Sequence, residues 1–224
     1  MEIETFKYCL SNNIIVLPID NMVVPNQQKL ELDETNLNIL ESFFPKGIDK
    51  TIKEIQKISG YSYEPVHRTL ASLVKRKIVL EKKVGKTLVY SLKFDTVFAK
   101  IAFYLYATQK ANLFSQQQPN IYVAIAELPE EELDILTIFG SYAKGTQSKK
   151  SDVDILCVAH KTEVMKSKIL SLKHSYNIDF SPIVMDRTEF AKIKNENKEF
   201  WSDLVEFGII FKGYDLFYSY AYLT

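Results

Sequence analysis

The segment around Gly140 constrains the fold of this chain more than any other feature. A β-branched apolar run ends at Gly140-Ser141, and a polar loop then leads to Asp152 and Asp154 at the start of a second apolar run. Side chains at positions i and i+2 of a strand point to the same face of a sheet. The sequence therefore predicts two strands joined by a turn and a loop, with both carboxylates on one face.

The paired carboxylates predict a cation site. Two negative charges so close together repel each other unless a cation lies between them. Magnesium suits such a pair, because it binds a few carboxylate oxygens and completes its shell with water and phosphate.

The turn predicts phosphate binding. Gly140 allows the backbone to approach a ligand closely, and Ser141 supplies a hydroxyl. A short helix from Tyr142 onward would direct its free N–H groups to the same place. Three lysines add positive charge to this region, although the last two also suit a solvated loop: Lys144, Lys149 and Lys150.

The motif GSYAKG followed by SDVDIL resembles the signature of the DNA polymerase β-like nucleotidyltransferases, especially the minimal nucleotidyltransferases of prokaryotes. The resemblance covers roughly residues 119–213, and the tail FWSDLVEFGIIFKG is also similar to the end of these domains. Lys144 stands where the family often has arginine; it keeps the charge but loses the bidentate fork.

This resemblance implies an enzyme that transfers an NMP from an NTP, such as ATP, to a protein or small-molecule acceptor and releases pyrophosphate. It implies two magnesium ions held by three catalytic acids: Asp152, Asp154 and Asp179. It implies phosphate contacts from Gly140, Ser141 and Lys144. By the same analogy, one version of the family is an antitoxin that modifies a toxin of the HEPN type.

Asp179 lies in an apolar run, between Ile178 and Phe180. A buried carboxylate without a partner is costly, so the sequence predicts that Asp179 meets a metal or a donor. Asp186 is the alternative third acid, but its position predicts a cap for the helix that follows.

Charge is balanced over the whole chain, with 28 basic and 28 acidic residues, but it is unevenly distributed. Residues 46–93 carry 12 Lys/Arg and 4 Asp/Glu, whereas residues 119–224 carry 12 and 16. This asymmetry indicates that a module facing a polyanion is joined to a second module.

The basic segment resembles a winged helix-turn-helix over about 60 residues. A helix over 34–44 precedes a helix that begins with the capping box Thr51-x-x-Glu54 and ends at Gly60. A second helix, starting near residues 62–65, would lie in the major groove of double-stranded DNA, and a hairpin turned at Gly85 would form the wing. The predicted DNA contacts are Ser62, Tyr63, His67, Arg68, Lys82, Lys83 and Lys86. Glu64 would repel phosphate, and such modules also serve in protein interaction or dimerisation.

Four segments follow from these patterns. Residues 1–30 contain a strand-like run at 13–19 and have no assigned role, and residues 31–93 form the winged helix-turn-helix. Residues 94–118 form a packed connecting helix or a homodimer face, and 119–224 form the nucleotidyltransferase domain.

The predicted fold class is α/β (α+β), with a small mixed sheet and flanking helices. The predicted elements of the last segment are helices over 119–127 and 162–175, strands over 134–139, 153–159, 178–185 and 209–211, and two short helices before the last strand.

The remaining features set outer limits. Cys9 and Cys157 are far apart and show neither a disulfide framework nor zinc spacing. The sequence has no signal peptide and no apolar run of membrane-spanning length, so we expect a cytoplasmic protein without a membrane partner.

Three functions fit the sequence. The first is a nucleotidyl-transferring enzyme. The second is a DNA-binding regulator or antitoxin whose nucleotidyltransferase fold senses nucleotide without turnover. The third is a structural dimer module with a degenerate site, and the intact set of acids argues against it.

Overall fold

The structure, a computed structural model, describes residues 9–11, 14–16, 33–47 and 49–223 of the chain. Within those ranges, every helix is too short or too polar to cross a lipid bilayer. Of the predicted strand-like run at 13–19, Ile14–Val16 is a strand and the rest lies outside the described residues.

The chain divides into two compact units. The first comprises Met1–Phe43 and Ile48–Lys93, and the second comprises Phe44–Gly47 and Phe94–Thr224. The short segment Phe44–Gly47 therefore belongs to the second unit although it lies within the sequence of the first.

The first unit combines helices with two small antiparallel sheets. Its described helices are α1 (Glu34–Glu41), α2 (Ile52–Ser59) and α3 (Tyr63–Lys75). One sheet pairs β1 (Cys9–Ser11) with β2 (Ile14–Val16). The other contains β3 (Lys50–Thr51), β4 (Val79–Val84) and β5 (Thr87–Leu92), in the order β3-β5-β4.

Local sequence signals set the element boundaries of this unit. In the capping box of α2, the Thr51 N–H donates to Glu54 Oε2 at 2.7 Å, and the Thr51 hydroxyl accepts from the Glu54 N–H at 3.3 Å. Gly60 ends α2 with a φ of +76°, and Gly85 turns the hairpin with a φ of +60°. The predicted helices and hairpin are confirmed, whereas the assignment of the unit as a winged helix-turn-helix stays a prediction.

The second unit contains a four-stranded sheet and its flanking helices. Its labelled elements are α4 (Val97–Gln117), α5 (Pro119–Ala126), β6 (Leu133–Ile138), α6 (Gly140–Lys144), β7 (Val153–Ala159), α7 (Thr162–Tyr176), β8 (Phe180–Met185), α8 (Arg187–Glu196), α9 (Lys198–Phe207), β9 (Ile209–Lys212) and α10 (Tyr214–Tyr218). These bounds confirm the predicted elements to within about two residues at most ends, and β7 has the predicted bounds. Asp186 caps α8 as expected, since its carboxylate accepts from the Glu189 N–H at 2.8 Å.

The sheet has the strand order β8-β7-β6-β9 and is mixed, as predicted. β7 is parallel to β8 and antiparallel to β6, so α7 is the crossover helix between the parallel pair. One face of the sheet packs with α5 and α7 in a single buried apolar cluster, which includes Leu136, Ile138, Val153, Ile155 and Cys157. Because side chains alternate along a strand, Asp154 lies on the opposite face.

Helix α4 is packed into the second unit. It lies against β9 and α10, and Ala99 and Ala102 are fully buried along it. The Phe103 ring is stacked with the Phe217 ring and tilted relative to the Tyr218 ring, with centroid-to-centroid distances of 6.3 Å and 5.2 Å. This helix therefore contributes to the core that supports the sheet.

Lys110 is a half-buried cation that joins α4 to the end of α9. Its Nζ donates to the carbonyl oxygens of Phe207 and Gly208, both at 3.1 Å. Burial lowers the pKa of Lys110 to about 8. The unfolded chain therefore binds more protons than the folded chain above that pH, and the free energy of unfolding should rise with pH. We expect a gain of roughly 1–2 kcal/mol between about pH 8 and pH 9.5, measured by urea denaturation.

The control is Lys110→Met, which keeps the length of the side chain without the charge. Its stability should lack this rise, because the titrating group is gone. Parallel pH profiles for the two proteins would contradict the assignment.

Candidate functional site

The Gly140 turn connects the end of β6 to helix α6. Phe139 is extended, and its N–H donates to the Asp154 carbonyl at 3.0 Å. Gly140 has a φ of +68°, in the left-handed region that favours glycine. Helix α6 begins at Gly140 rather than at Tyr142, two residues earlier than predicted. Both Gly140 and Ser141 therefore lie in the first turn of the helix.

Gly140 lies directly against the Asp154 carboxylate. A Cβ added at Gly140 would stand 2.0 Å from Asp154 Oδ2 and 2.8 Å from Asp154 Cγ. Such a separation is far inside van der Waals contact, so no side chain fits here without moving Asp154. The turn and the acid are thus fixed against each other.

Asp152 and Asp154 lie close enough to interact. Asp152 is exposed just before β7, and Asp154 is half-buried within it. Partial burial and, second, the charge of Asp152 raise the pKa of Asp154. This repulsion is what a bound cation would relieve, and it supports the predicted pairing of the two acids.

Asp179 is exposed rather than buried, and it meets a donor, one of the two kinds of partner that the sequence predicted. β8 begins at Phe180, two residues later than expected, so Asp179 precedes the strand and is exposed. Its carboxylate forms an ion pair with Lys173 of α7. Its carbonyl accepts from the Val153 N–H at 2.8 Å, which places Asp179 at the same end of the sheet as Asp152.

The three predicted acids therefore lie at one end of the sheet, and their sharing of a metal site stays a prediction. In the part of the chain that the structure describes, no three His, Cys, Asp or Glu side chains are arranged to hold a metal ion. The ion pair with Lys173 directs the Asp179 carboxylate to α7.

Lys144 is directed toward α9 rather than held free for phosphate. Its Nζ lies 2.7 Å from Asp203 Oδ1 and 5.1 Å from the centroid of the Phe207 ring. The Ser141 hydroxyl, by contrast, has no hydrogen-bond partner among the described residues. The structure thus leaves Ser141 available to a ligand and gives Lys144 a partner that the sequence did not indicate.

Substitution of Lys144 distinguishes a structural role, through Asp203 and Phe207, from the predicted phosphate contact. We expect Lys144→Met to lower the free energy of unfolding by about 0.5–1.5 kcal/mol, because it loses a partly exposed ion pair and a cation–π contact. We expect the NTP affinity to change less than about threefold. Chemical denaturation and calorimetry measure the two effects, with Asp203→Asn as the control that keeps Lys144. A selective loss of NTP affinity in Lys144→Met would instead establish the predicted phosphate contact.

The sequence gives no indication that two further residues, Asp203 and Gln147, belong to the site region. Asp203, the partner of Lys144, lies in an ordinary amphipathic helix. Gln147 lies in the loop before Asp152, and its Oε1 is buried with no hydrogen-bond partner among the described residues. A glutamine in a polar loop gives no indication of burial, because burial depends on the fold of the loop.

The predicted DNA contacts are all exposed. Ser62 is the N-cap residue of α3, and the Tyr63 ring stacks on His67 at 5.4 Å. The other predicted contacts lie on α3, on β4 or in the turn after it: Arg68, Lys82, Lys83 and Lys86. Exposure is compatible with DNA binding but does not establish it.

Comparison with known proteins identifies relatives of the segment that contains the Gly140 turn and the predicted acids. The model of the nucleotidyltransferase domain family matches residues 125–207, from α5 to the end of α9. A protein of Methanocaldococcus jannaschii, "Putative protein adenylyltransferase MJ0141", is 31% identical over 70 residues, which cover 29% of this chain and 71% of that protein. The chain belongs to the nucleotidyltransferase domain family. This nucleotidyltransferase also matches "Putative protein adenylyltransferase MJ1305" of the same organism, with 29% identity over 36% of this chain and 60% of that protein.

A solved structure described as "Crystal structure of the toxin-antitoxin with AMP-PNP" shows a weaker likeness. It is 21% identical, and the match covers 46% of this chain and 82% of that chain with a TM-score of 0.33. A TM-score this low does not establish a shared fold.

The family match covers the part of this nucleotidyltransferase that carries the predicted site. The matched range contains the Gly140 turn and all three predicted acids. Helix α4, β9 and α10 lie outside the matched range although they pack in the same unit. β9 is an edge strand of the four-stranded sheet, and α4 and α10 complete the core beside it.

Proposed function

We propose that this enzyme transfers an NMP from an NTP to a hydroxyl group of a protein, with the help of magnesium. The observation that carries the proposal is the contact between Gly140 and the Asp154 carboxylate. It holds the Gly140 turn, the proposed phosphate site, beside Asp154, the proposed metal ligand.

The turn supplies the phosphate contacts. Helix α6 has no side-chain cap at its start, so its first N–H groups are free to donate to a ligand. The Ser141 hydroxyl adds one more donor. Gly140 brings the backbone close because it has no side chain.

The acids fit a divalent cation. Asp152 and Asp154 would hold magnesium, because partial burial and, second, the charge of Asp152 raise the pKa of Asp154, and a cation would offset both effects. Magnesium, when bound, neutralises charge on the phosphates of the NTP. Asp179 would join as the third acid after exchanging its ion pair with Lys173.

The transfer is a substitution at the α-phosphorus. The acceptor oxygen forms a bond to the α-phosphorus, and the bond from that phosphorus to the bridging oxygen of pyrophosphate breaks. The acceptor proton leaves to water, and pyrophosphate carries away the electron pair. Catalysis of such a step rests mainly on position and charge, because the side chains form no covalent bond with the nucleotide.

The two relatives suggest the nucleotide and the acceptor. Both are named as protein adenylyltransferases, which favours ATP as the donor and a protein as the acceptor. The HEPN-type toxin stays a prediction without support from the described residues.

Label transfer tests this proposal. The enzyme is incubated with magnesium, a cell extract and ATP labelled at either the α- or the γ-phosphate. Label from the α-position should appear on protein, whereas label from the γ-position should leave as pyrophosphate. Transfer of the γ-label to protein above the level in the extract without the enzyme would show a kinase and overturn the proposal.

A second function for the first unit is DNA binding through a winged helix-turn-helix. The exposed basic side chains of the β4–β5 hairpin favour it, since lysines at such positions contact phosphates. We expect a variant with Lys82, Lys83 and Lys86 changed to Gln to weaken binding to duplex DNA and to lower the salt slope by up to about three. Fluorescence anisotropy at several salt concentrations measures this, and NTP binding should be unchanged. Absence of DNA binding by the wild type at low salt would exclude the function.

A further inference from the structure

A polar cleft of about 280 Å³ lies beside the predicted acids in the second unit. Its walls come from the start of α5, from the loop before Asp152 and from the segment between α7 and β8. Asp179 lines the cleft, and so does Ser151, the residue before Asp152. The cleft therefore adjoins the place where the transfer is proposed to occur.

The charge of the cleft is positive. Lys149 and Lys150 line it, and within the described ranges neither ammonium group has an ion-pair partner. The negative charge of Asp179 is already balanced by Lys173. Two cations are left without counter-charges, so the cleft favours an anionic ligand.

The backbone of the loop fixes where these lysines lie. The Ser148 N–H donates to Ser151 Oγ at 2.9 Å, and the Ser151 N–H donates to the Ser148 carbonyl at 3.1 Å. The Lys150 N–H donates to Ser148 Oγ at 3.3 Å. The lysines therefore extend from a closed turn, which reduces the entropy lost when they bind a ligand.

The cleft also offers amide groups. Asn120 and Asn177 line it, and their side chains have no hydrogen-bond partners in the part of the chain that the structure describes. A side-chain amide both donates and accepts, so it pairs with a peptide backbone. The ring of Tyr142 adds an apolar surface to the same cleft.

We propose that this cleft binds an acidic peptide segment of the acceptor and so presents a neighbouring hydroxyl to Asp152 and Asp154. The inference rests on the proposed protein acceptor. Acidic side chains of the segment pair with Lys149 and Lys150, and its backbone pairs with the two asparagine amides.

Fluorescence anisotropy of two labelled peptides tests the inference, with the full chain, magnesium and a non-hydrolysable ATP analogue. One peptide is Glu-Glu-Tyr-Glu-Glu and the other is Gln-Gln-Tyr-Gln-Gln. We expect the acidic peptide to bind roughly tenfold more tightly, as two partly solvated charge pairs would produce. The variant Lys149→Gln/Lys150→Gln should lose that preference.

A matched variant controls for net charge. Lys166→Gln/Lys192→Gln removes two exposed lysines of the same unit that lie away from the cleft, and it should keep the preference. Equal binding of the two peptides, or a preference that survives in the cleft variant, would overturn the inference.

Two further outcomes would assign the lysines to another ligand. If the cleft variant loses affinity for the ATP analogue, the lysines serve the nucleotide. If a single-stranded oligonucleotide binds more tightly than the acidic peptide and loses its affinity in the cleft variant, the ligand is a nucleic acid. Peptide binding is also measured without nucleotide. If the protein binds the acidic peptide but no NTP, the proposed function is refuted while the inference about the cleft stands.

Discussion

We expect Asp154→Asn to lower turnover by about 10³-fold or more, because a metal-binding carboxylate contributes several kcal/mol to the transition state. The fold should persist, since asparagine has nearly the same shape as aspartate and only the charge is lost. Steady-state release of pyrophosphate measures the first effect, and thermal denaturation measures the second.

Stability and activity should change in opposite directions in this variant. Burial and Asp152 raise the pKa of Asp154 in the folded chain above its ordinary value of 3.8. The folded chain then binds more protons than the unfolded chain just above pH 3.8, so the wild type loses stability as the pH rises through that window. Asp154→Asn has no such titration and should be at least as stable as the wild type at neutral pH.

The control for this experiment is Glu163→Gln, which removes an exposed acid from the first turn of α7. It should leave turnover unchanged. Wild-type turnover in Asp154→Asn would remove this acid from the mechanism, and a collapse of the fold would show that the carboxylate is structural.

The second large effect should follow from Gly140→Ala. The new Cβ would meet Asp154 Oδ2 at 2.0 Å, and the positive φ of +68° adds strain of about 1–2 kcal/mol for any L-residue. Asp154 has to move, so we expect turnover to fall by about 100-fold or more, since small displacements in a site have effects of that size. The free energy of unfolding should fall by about 2–4 kcal/mol.

Gly145→Ala is a matched control, because it separates strain from the clash. Gly145 has a φ of +69°, but a Cβ there would meet nothing within 4 Å. This variant should show the loss of stability that strain causes and should keep most of its turnover. Equal activity of the two variants would mean that the contact with Asp154 does not matter for the reaction.

The double variant Gly140→Ala/Asp154→Ala completes the test. Removal of the carboxylate leaves only the Cβ of residue 154 near the new methyl group, at 3.1 Å, so most of the stability lost through the clash should recover. Turnover should stay lost. A failure of stability to recover would show that the clash with Asp154 is not its cause.

Much of the fold could be predicted from local patterns in the sequence. Two helix caps could be predicted: the capping box at Thr51 and Glu54, and the cap at Asp186. Each depends only on residues three apart in the sequence, so it forms without any tertiary contact. β7 was predicted with its observed bounds, because Asp152 and a polar loop precede it and His160 follows it. β3 was missed, since a two-residue strand has no periodicity.

The parts of the candidate site that depend on the spacing of residues along the sequence could be predicted. The parts that depend on contacts between different helices and strands could not. The pairing of Asp152 with Asp154 follows from the alternation of side chains along a strand. The partners of Asp179 and Lys144 lie on other helices, so no local pattern indicates Lys173 or Asp203. An apolar run predicted burial for Asp179, but the strand begins after it, and the exposed carboxylate takes the nearest cation.

The central claim is that one live nucleotide site lies at the Gly140 turn and the Asp152–Asp154 pair. Calorimetric titration of each NTP, with and without magnesium, into the wild type and into Asp152→Ala/Asp154→Ala tests it without knowledge of the acceptor. We predict magnesium-dependent binding of ATP to the wild type and its loss in the double variant. Failure of the wild type to bind any NTP, or binding that persists in the variant, would contradict the account.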